Sequence, residues 1–192
     1  MSKEDNKEEA PEQEQSIWRS LGGTLLYLLV IVLLTWVIVT FVGQRTKVDG
    51  HSMEPTLSDG DNLIVDKLSY RFRDPERYDI IVFPYQHAEN TYYIKRIIGM
   101  PGETVQIRDG YVYIDGKRLT SDIYGKEKIK DPQTAAEPVM LGDDEYFVMG
   151  DNRNHSMDSR DPGVGVLTRK DLIGRAWVRI YPFDNIGVIR HE

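Results

Sequence analysis

Apolar positions along the chain follow two regimes. From Leu21 to Val42 there are 22 consecutive residues without a charge, bounded by Arg19 and Arg45. As a helix this stretch would rise about 33 Å, close to the hydrocarbon thickness of a bilayer. A core helix is rarely apolar on every face for so long. A cleavable signal sequence would have an apolar region of roughly 7–15 residues and a small-x-small cleavage pattern, which the following VGQRTK lacks. The pattern predicts an uncleaved transmembrane anchor over 21–42. Beyond it, apolar residues come in short β-branched or aromatic runs: NLIVDKL, YDIIVF, TYYIKRIIG, ETVQIRDGYVYIDG, EYFVMG, RAWVRIY and NIGVI. Turn signals separate them at Asp59-Gly60, Pro101-Gly102, Asp109-Gly110 and Asp115-Gly116. Residues 43–192 are therefore predicted to form one mainly β domain, an antiparallel sheet closed or sandwiched to hide its edges. A tight hairpin is expected at Asp109-Gly110, and one short helix from Thr168 to Ile173, capped by Thr168 and ended by Gly174.

The amino-terminal residues 1–20 are polar and acidic, with Glu4, Asp5, Glu8, Glu9, Glu12 and Glu14. Too little apolar surface is available there to offset the entropy of ordering, which predicts a disordered tail. Charge does not orient the anchor, because Lys3, Lys7 and Arg19 on one side face Arg45 and Lys47 on the other. Over the whole 192 residues, 24 basic side chains oppose 31 acidic ones for a net charge of −7, with no basic stripe suited to nucleic acid. Cysteine is absent, which removes thiol nucleophiles, disulfides and thiolate metal sites together.

Four histidines, with no HExxH pair and no calcium-loop spacing, give no support for a metal site. His51 adjoins Ser52, but neighbours in extended chain point to opposite sides. His155 lies in an unusual loop and is the better candidate for a triad, whereas His87 and His191 read as solvated. Three segments are odd for plain structure. In V48-D-G-H-S-M-E-P-T-L57, Gly50 permits close backbone approach and Pro55 stiffens the chain just after Ser52, which suits either a turn or an exposed nucleophile. In T91-Y-Y-I-K-R-I-I-G99, strand alternation puts Lys95 on a face with Tyr93 and Ile97, where burial would favour the neutral amine a general base requires. The plain reading of Lys95 is an edge-strand lysine reaching for water. In M149-G-D-N-R-N-H-S-M-D-S-R160, Asp158 and Arg160 could pair and hold an ordered loop rigid.

An anchor followed by SMEPTL, GDNLIVDK, KRIIGMPGE and GDNRNHSMDSR, in that order, resembles the type I signal peptidases, in the short single-anchor form of Gram-positive bacteria. These are membrane-anchored serine proteases that remove signal peptides from exported preproteins. The resemblance implies Ser52 as nucleophile and Lys95 as general base, without a cofactor. It implies that Ser156 hydrogen-bonds and orients Lys95, that Asp158 and Arg160 form a supporting salt bridge, and that Arg96, Gly150 and Asp151 are structural. Many relatives place a serine two positions before the nucleophile as a second oxyanion donor; Gly50 stands there, and Gly50→Ser is expected to be tolerated. Met53, Leu57, Tyr93 and Ile94 match positions of the substrate pocket, which selects small residues at the first and third positions before the cut. The family's topology implies a cytoplasmic tail, a bilayer-spanning anchor and a catalytic domain outside.

Overall fold

The computed structural model describes residues 11–37, 43–125 and 127–191. The chain forms two compact units, Met1–Phe41 and Val42–Glu192. The first contains one helix, α1 (Pro11–Val37), of 27 residues. Proline suits the opening position of a helix, where its missing N–H leaves no bond unmade. Residues 11–20, assigned above to an unstructured tail, are therefore helical; the rest of the expected tail lies outside the described residues. Side chains from residue 21 to 36 are all exposed, Leu25 at 69% and Val32 at 67% among them. Among the described residues, no helix is long and apolar enough to cross a membrane. The end of the expected anchor, 38–42, lies outside them.

The second unit is built of β-strands: β1 (Gly43–Lys47), β2 (Asn62–Asp66), β3 (Ile80–Pro84), β4 (Tyr92–Gly99), β5 (Thr104–Arg108), β6 (Tyr111–Ile114), β7 (Lys117–Arg118), β8 (Val139–Met140), β9 (Glu145–Met149), β10 (Leu167–Thr168), β11 (Gly174–Tyr181) and β12 (Gly187–Val188). One eight-stranded sheet runs β1-β2-β11-β3-β4-β9-β10, with β12 also on β11; a smaller sheet runs β7-β6-β5-β8. Neighbouring strands in both are antiparallel. The apolar runs read from the sequence are these strands. The hairpin joins β5 to β6, with Asp109 and Gly110 both at positive φ, 54° and 81°, as a two-residue turn matched to strand twist requires.

The expected helix at Thr168–Ile173 is only a single 3-10 turn, Arg169–Asp171. Its cap is as anticipated: the Asp171 carboxylate accepts from the Thr168 N–H at 2.8 Å and hydroxyl at 2.6 Å. Further helix is forestalled because Gly174 already opens β11.

Strand β4 lies inside the large sheet, paired with β3 on one side and β9 on the other. Residues 94–99 are buried, so both faces of the strand are covered. Ile94 joins a core of Val48, Met53, Leu57, Leu63, Val65, Ile80 and Val82; Ile97 packs with Ile81, Phe83 and Val148; Ile98 reaches the core of the smaller sheet, with Val105, Ile107 and Phe147. Three apolar clusters thus grip one strand and fix its register. The carboxy-terminal segment closes over the large sheet. His191, expected to be solvated, is buried; its Nδ1 accepts the Ile80 N–H at 2.9 Å, and its carbonyl accepts the Tyr124 hydroxyl at 3.0 Å. Burial, aided by the Arg175 charge, pushes its imidazole down to about 4.

Candidate active site

The segment between β1 and β2 continues their ladder for one step and then leaves it. Val48 donates its N–H to the Asp61 carbonyl at 2.8 Å, and Gly60 donates to the Val48 carbonyl at 3.0 Å. The chain turns at Gly50, whose φ of +94° is one that side chains with a Cβ rarely adopt. Its N–H is taken by Asp59 Oδ1 at 2.9 Å, so it is not available to an oxyanion. Beyond the turn, Met53 and Leu57 sink into the core at 1% and 0% exposure, and the Leu57 N–H closes on the Met53 carbonyl at 3.0 Å. Ser52 is held between the Gly50 turn and these buried anchors.

Lys95 meets it from the middle of β4. Nζ lies 2.8 Å from Ser52 Oγ and donates also to the Ile94 carbonyl at 3.0 Å. The side chain is 3% exposed on an interior strand, so Lys95 is not an edge lysine reaching for solvent. Burial pushes its ammonium down to about 8; Asp158 and, less strongly, Asp151 work against that displacement. Tyr93 flanks it on the same strand face, with Nζ 5.1 Å from the ring centroid.

The loop after β9 forms the other wall. Arg96, pointing away from Lys95 by strand alternation, makes two bonds to Asp151, Nε–Oδ1 2.8 Å and Nη2–Oδ2 2.7 Å, with both side chains fully buried. Thr56 donates to the same carboxylate at 2.6 Å, tying the segment after Ser52 to this pair. Asp158 and Arg160 are likewise joined twice, each contact 2.8 Å, and Asp158 Oδ2 accepts the Gly150 N–H at 3.0 Å. Arg153 grips Asp122 through two 2.6 Å bonds. Breaking one partner of such a buried pair costs about 3–5 kcal/mol, because a charge is left unmatched. Asn152 crosses to the Ser52 segment, donating its N–H to the Ser52 carbonyl at 3.0 Å and its Nδ2 to the His51 carbonyl at 3.1 Å. Gly150 permits this approach, since a Cβ there would overlap both the Ser52 carbonyl and the Ser156 hydroxyl.

Ser156 sits beside Gly150 as expected, but its hydroxyl is buried without a hydrogen-bond partner, and the expected bond to Lys95 is not formed. Neither histidine near the site serves Ser52. His51 turns outward to Glu54 at 2.8 Å, which raises its pKa, while exposed His155 contacts Asn152 Oδ1 at 3.2 Å. Among the described residues, no group of three His, Asp or Glu side chains is arranged to hold a metal ion.

Ser52 and Lys95 open onto a cavity of about 200 Å³, lined also by Val48, Asp49, Met53, Tyr92, Tyr93, Ile94 and Met157. Met53, Tyr93 and Ile94 line the cavity beside Ser52 and Lys95. Leu57 does not: the turn that seats Ser52 carries Leu57 wholly into the core, out of reach of any ligand. Met157 was missed; its sulfur accepts the Tyr93 hydroxyl at 3.4 Å across the cavity rim. Asn152 was visible only as one polar residue of a polar loop, and its contact with a segment 101 residues earlier has no local signal.

Residues 21–181 match the family described as signal peptidase, peptidase S26. A probable signal peptidase I-2 of Synechocystis sp. is 40% identical over 191 residues, covering 97% of this chain and 83% of that protein. A signal peptidase I of Bacillus amyloliquefaciens is 39% identical over 165 residues, covering 83% and 87%. The crystal structure of a signal peptidase I from Enterococcus faecalis V583 is 32% identical and covers 54% of this chain and 97% of its own, at a TM-score of 0.45. With most of its length matched in this way, the chain belongs to the signal peptidase family, peptidase S26, and is a serine endopeptidase.

Proposed function

We propose that this protein removes amino-terminal signal peptides from exported preproteins after small-x-small sites, with Ser52 as nucleophile and Lys95 as general base. The observation that carries the proposal is a buried lysine whose Nζ stands 2.8 Å from a serine hydroxyl at the mouth of a cavity. At that distance neutral Lys95 takes the Ser52 Oγ proton as the oxygen attacks the scissile carbonyl carbon. The carbonyl oxygen becomes an oxyanion facing the Ser52 N–H. As the tetrahedral intermediate collapses, the Lys95 ammonium returns the proton to the leaving amine, and the signal peptide stays esterified to Ser52. Water then attacks the ester while Lys95 again accepts a proton, and collapse releases the free carboxylate and restores the Ser52 hydroxyl. Asp158 and Asp151 act structurally, since a carboxylate in contact with Lys95 would keep it protonated.

Specificity follows from the same walls. Met53, Ile94 and Tyr93 give a shallow apolar lining to a cavity of about 200 Å³, which suits small side chains and would strand a charged one without a partner. An extended peptide lying along a strand edge would add main-chain hydrogen bonds that ignore its sequence. The uncharged stretch 21–42 serves as a membrane anchor, with the tail 1–20 cytoplasmic and the domain 43–192 outside. Its support is the run of exposed apolar side chains on α1, including Leu25, Leu26, Leu29 and Val32. Ser52 lies only ten positions after Val42, a short tether that suits a nucleophile acting on a membrane-embedded signal helix.

The test is cleavage of a purified preprotein in detergent, with product mass locating the cut. The full chain is expected to make one cut after a small-x-small site, and Ser52→Ala and Lys95→Ala to make none. Normal cutting by Lys95→Ala would overturn the dyad.

A further inference from the structure

We propose that Asn152 is a positioning residue for the oxyanion site, aiming the Ser52 N–H by holding the carbonyl at the other end of the same peptide group. The inference rests on the Ser52–Lys95 reading above and goes beyond it.

In a trans peptide the C=O and N–H point to opposite sides of the chain, so fixing one fixes the other. Among the described residues only Glu54-Pro55 and Tyr181-Pro182 are cis, so the His51–Ser52 peptide is trans. Its carbonyl accepts from Asn152 Nδ2 at 3.1 Å and from the Glu54 N–H at 3.2 Å. Held from that side, the group turns the Ser52 N–H the other way. The next peptide plane is held too, because the Ser52 carbonyl accepts the Asn152 N–H at 3.0 Å. Two donors of the same turn are spent: the Gly50 N–H on Asp59 and the Glu54 N–H on His51. The Ser52 N–H makes no hydrogen bond among the described residues. It is free to donate to a developing oxyanion on the Ser52 side.

The side chain doing this is itself oriented. His155 Nδ1 stands 3.2 Å from Asn152 Oδ1, and when it carries a proton it marks that atom as the acceptor, leaving Nδ2 for His51. The residues on either side are rooted, Asp151 on Arg96 and Arg153 on Asp122. Removing the Asn152 side chain therefore leaves the loop, and its main-chain bond to Ser52, in place. What is lost is one of the two bonds that aim the oxyanion donor. A merely structural tie between the loops would predict little effect.

The full chain in detergent is assayed with a fluorogenic signal-peptide substrate and with a peptide aldehyde of the same acyl sequence, whose adduct with Ser52 carries the oxyanion. Asn152→Ala is expected to lower kcat by about tenfold or more, part of the hundredfold or greater loss seen when an oxyanion donor is removed outright. KM should stay within about twofold, and aldehyde affinity should fall by the same factor as kcat. The apparent pKa of the pH profile should not move, since Lys95 is untouched. Asn152→Asp keeps the shape without the donor and should lose activity equally. Unchanged kcat in either variant, or a loss in Asn152→Ala carried by KM or by a displaced pH profile, overturns the inference while the dyad stands. An inactive parent chain, or cleavage by Ser52→Ala, overturns the dyad reading and this inference with it.

Discussion

Replacing Lys95 by methionine should abolish cleavage and, at neutral pH, make the folded domain more stable. Methionine keeps the stem that fills the space beside Tyr93 and removes the buried amine. The displacement of Lys95 from 10.5 to about 8, at about 1.4 kcal/mol per pH unit, means the ammonium costs the fold about 3 kcal/mol. A cation whose folded pKa lies below its unfolded one carries that full cost below about pH 8. The cost disappears as pH rises from 8 towards 10.5, where the unfolded lysine also loses its proton. Lost hydrogen bonds to Ser52 and the Ile94 carbonyl oppose the gain by about 1 kcal/mol each and do not vary with pH. The variant should therefore be more stable by roughly 1 kcal/mol at pH 7. That advantage should fall by about 3 kcal/mol by pH 10.5. Urea unfolding of the full chain in detergent, followed through Trp177 with Trp18 and Trp36 replaced by phenylalanine, measures it. A stability difference between parent and variant that does not change with pH would refute the argument, because it would mean Lys95 keeps an ordinary pKa in the fold.

Gly50→Ser, tolerated on the family pattern alone, should instead strain the loop: φ is +94°, and a side chain in left-handed backbone costs about 1–2 kcal/mol. Lower kcat and a lower thermal midpoint are expected, and full activity would show that the turn relaxes freely. Asp151→Ala leaves Arg96 fully buried without its partner and should destabilise the domain by about 3–5 kcal/mol in chemical denaturation; a loss below 1 kcal/mol would mean that water reaches the guanidinium. Asp158→Asn removes the carboxylate that most raises the Lys95 pKa, so the activity profile of surviving enzyme should move to lower pH. A move to higher pH would reverse the sign of that interaction.

What the sequence disclosed divides by range. Strands β2 to β6 and the hairpin at Asp109-Gly110 were legible because alternation, β-branching and turn residues act within a few positions. The ordered motifs singled out Ser52 and Lys95, which the fold brings to 2.8 Å, and proximity in the chain singled out the Asp158–Arg160 pair. Leu57 was misjudged because a motif says which residues recur and not which way each faces; the turn after Ser52 sends it into the core. His191 was misjudged because a terminal residue shows nothing locally of the backbone N–H waiting for it at Ile80. Asn152 and Met157 depend on contacts across the Ser52 segment and β4, which only the folded sheet brings together. The helix at Thr168 had its capping signal, yet Gly174 and β11 left it no room. Nor does any local pattern disclose that Ser156 Oγ lies unbonded beside Gly150.

The central claim is that Ser52 is activated by a lysine made neutral by burial. Its most direct test is the pH dependence of kcat/KM for preprotein cleavage, measured on the full chain with Ser52→Ala and Lys95→Ala alongside. The account expects activity to rise about tenfold per pH unit below a single apparent pKa near 8 and then to level, with both variants inactive throughout. A profile flat from neutral to alkaline pH, or one governed by a group near 6.5 and retained in Lys95→Ala, would contradict it.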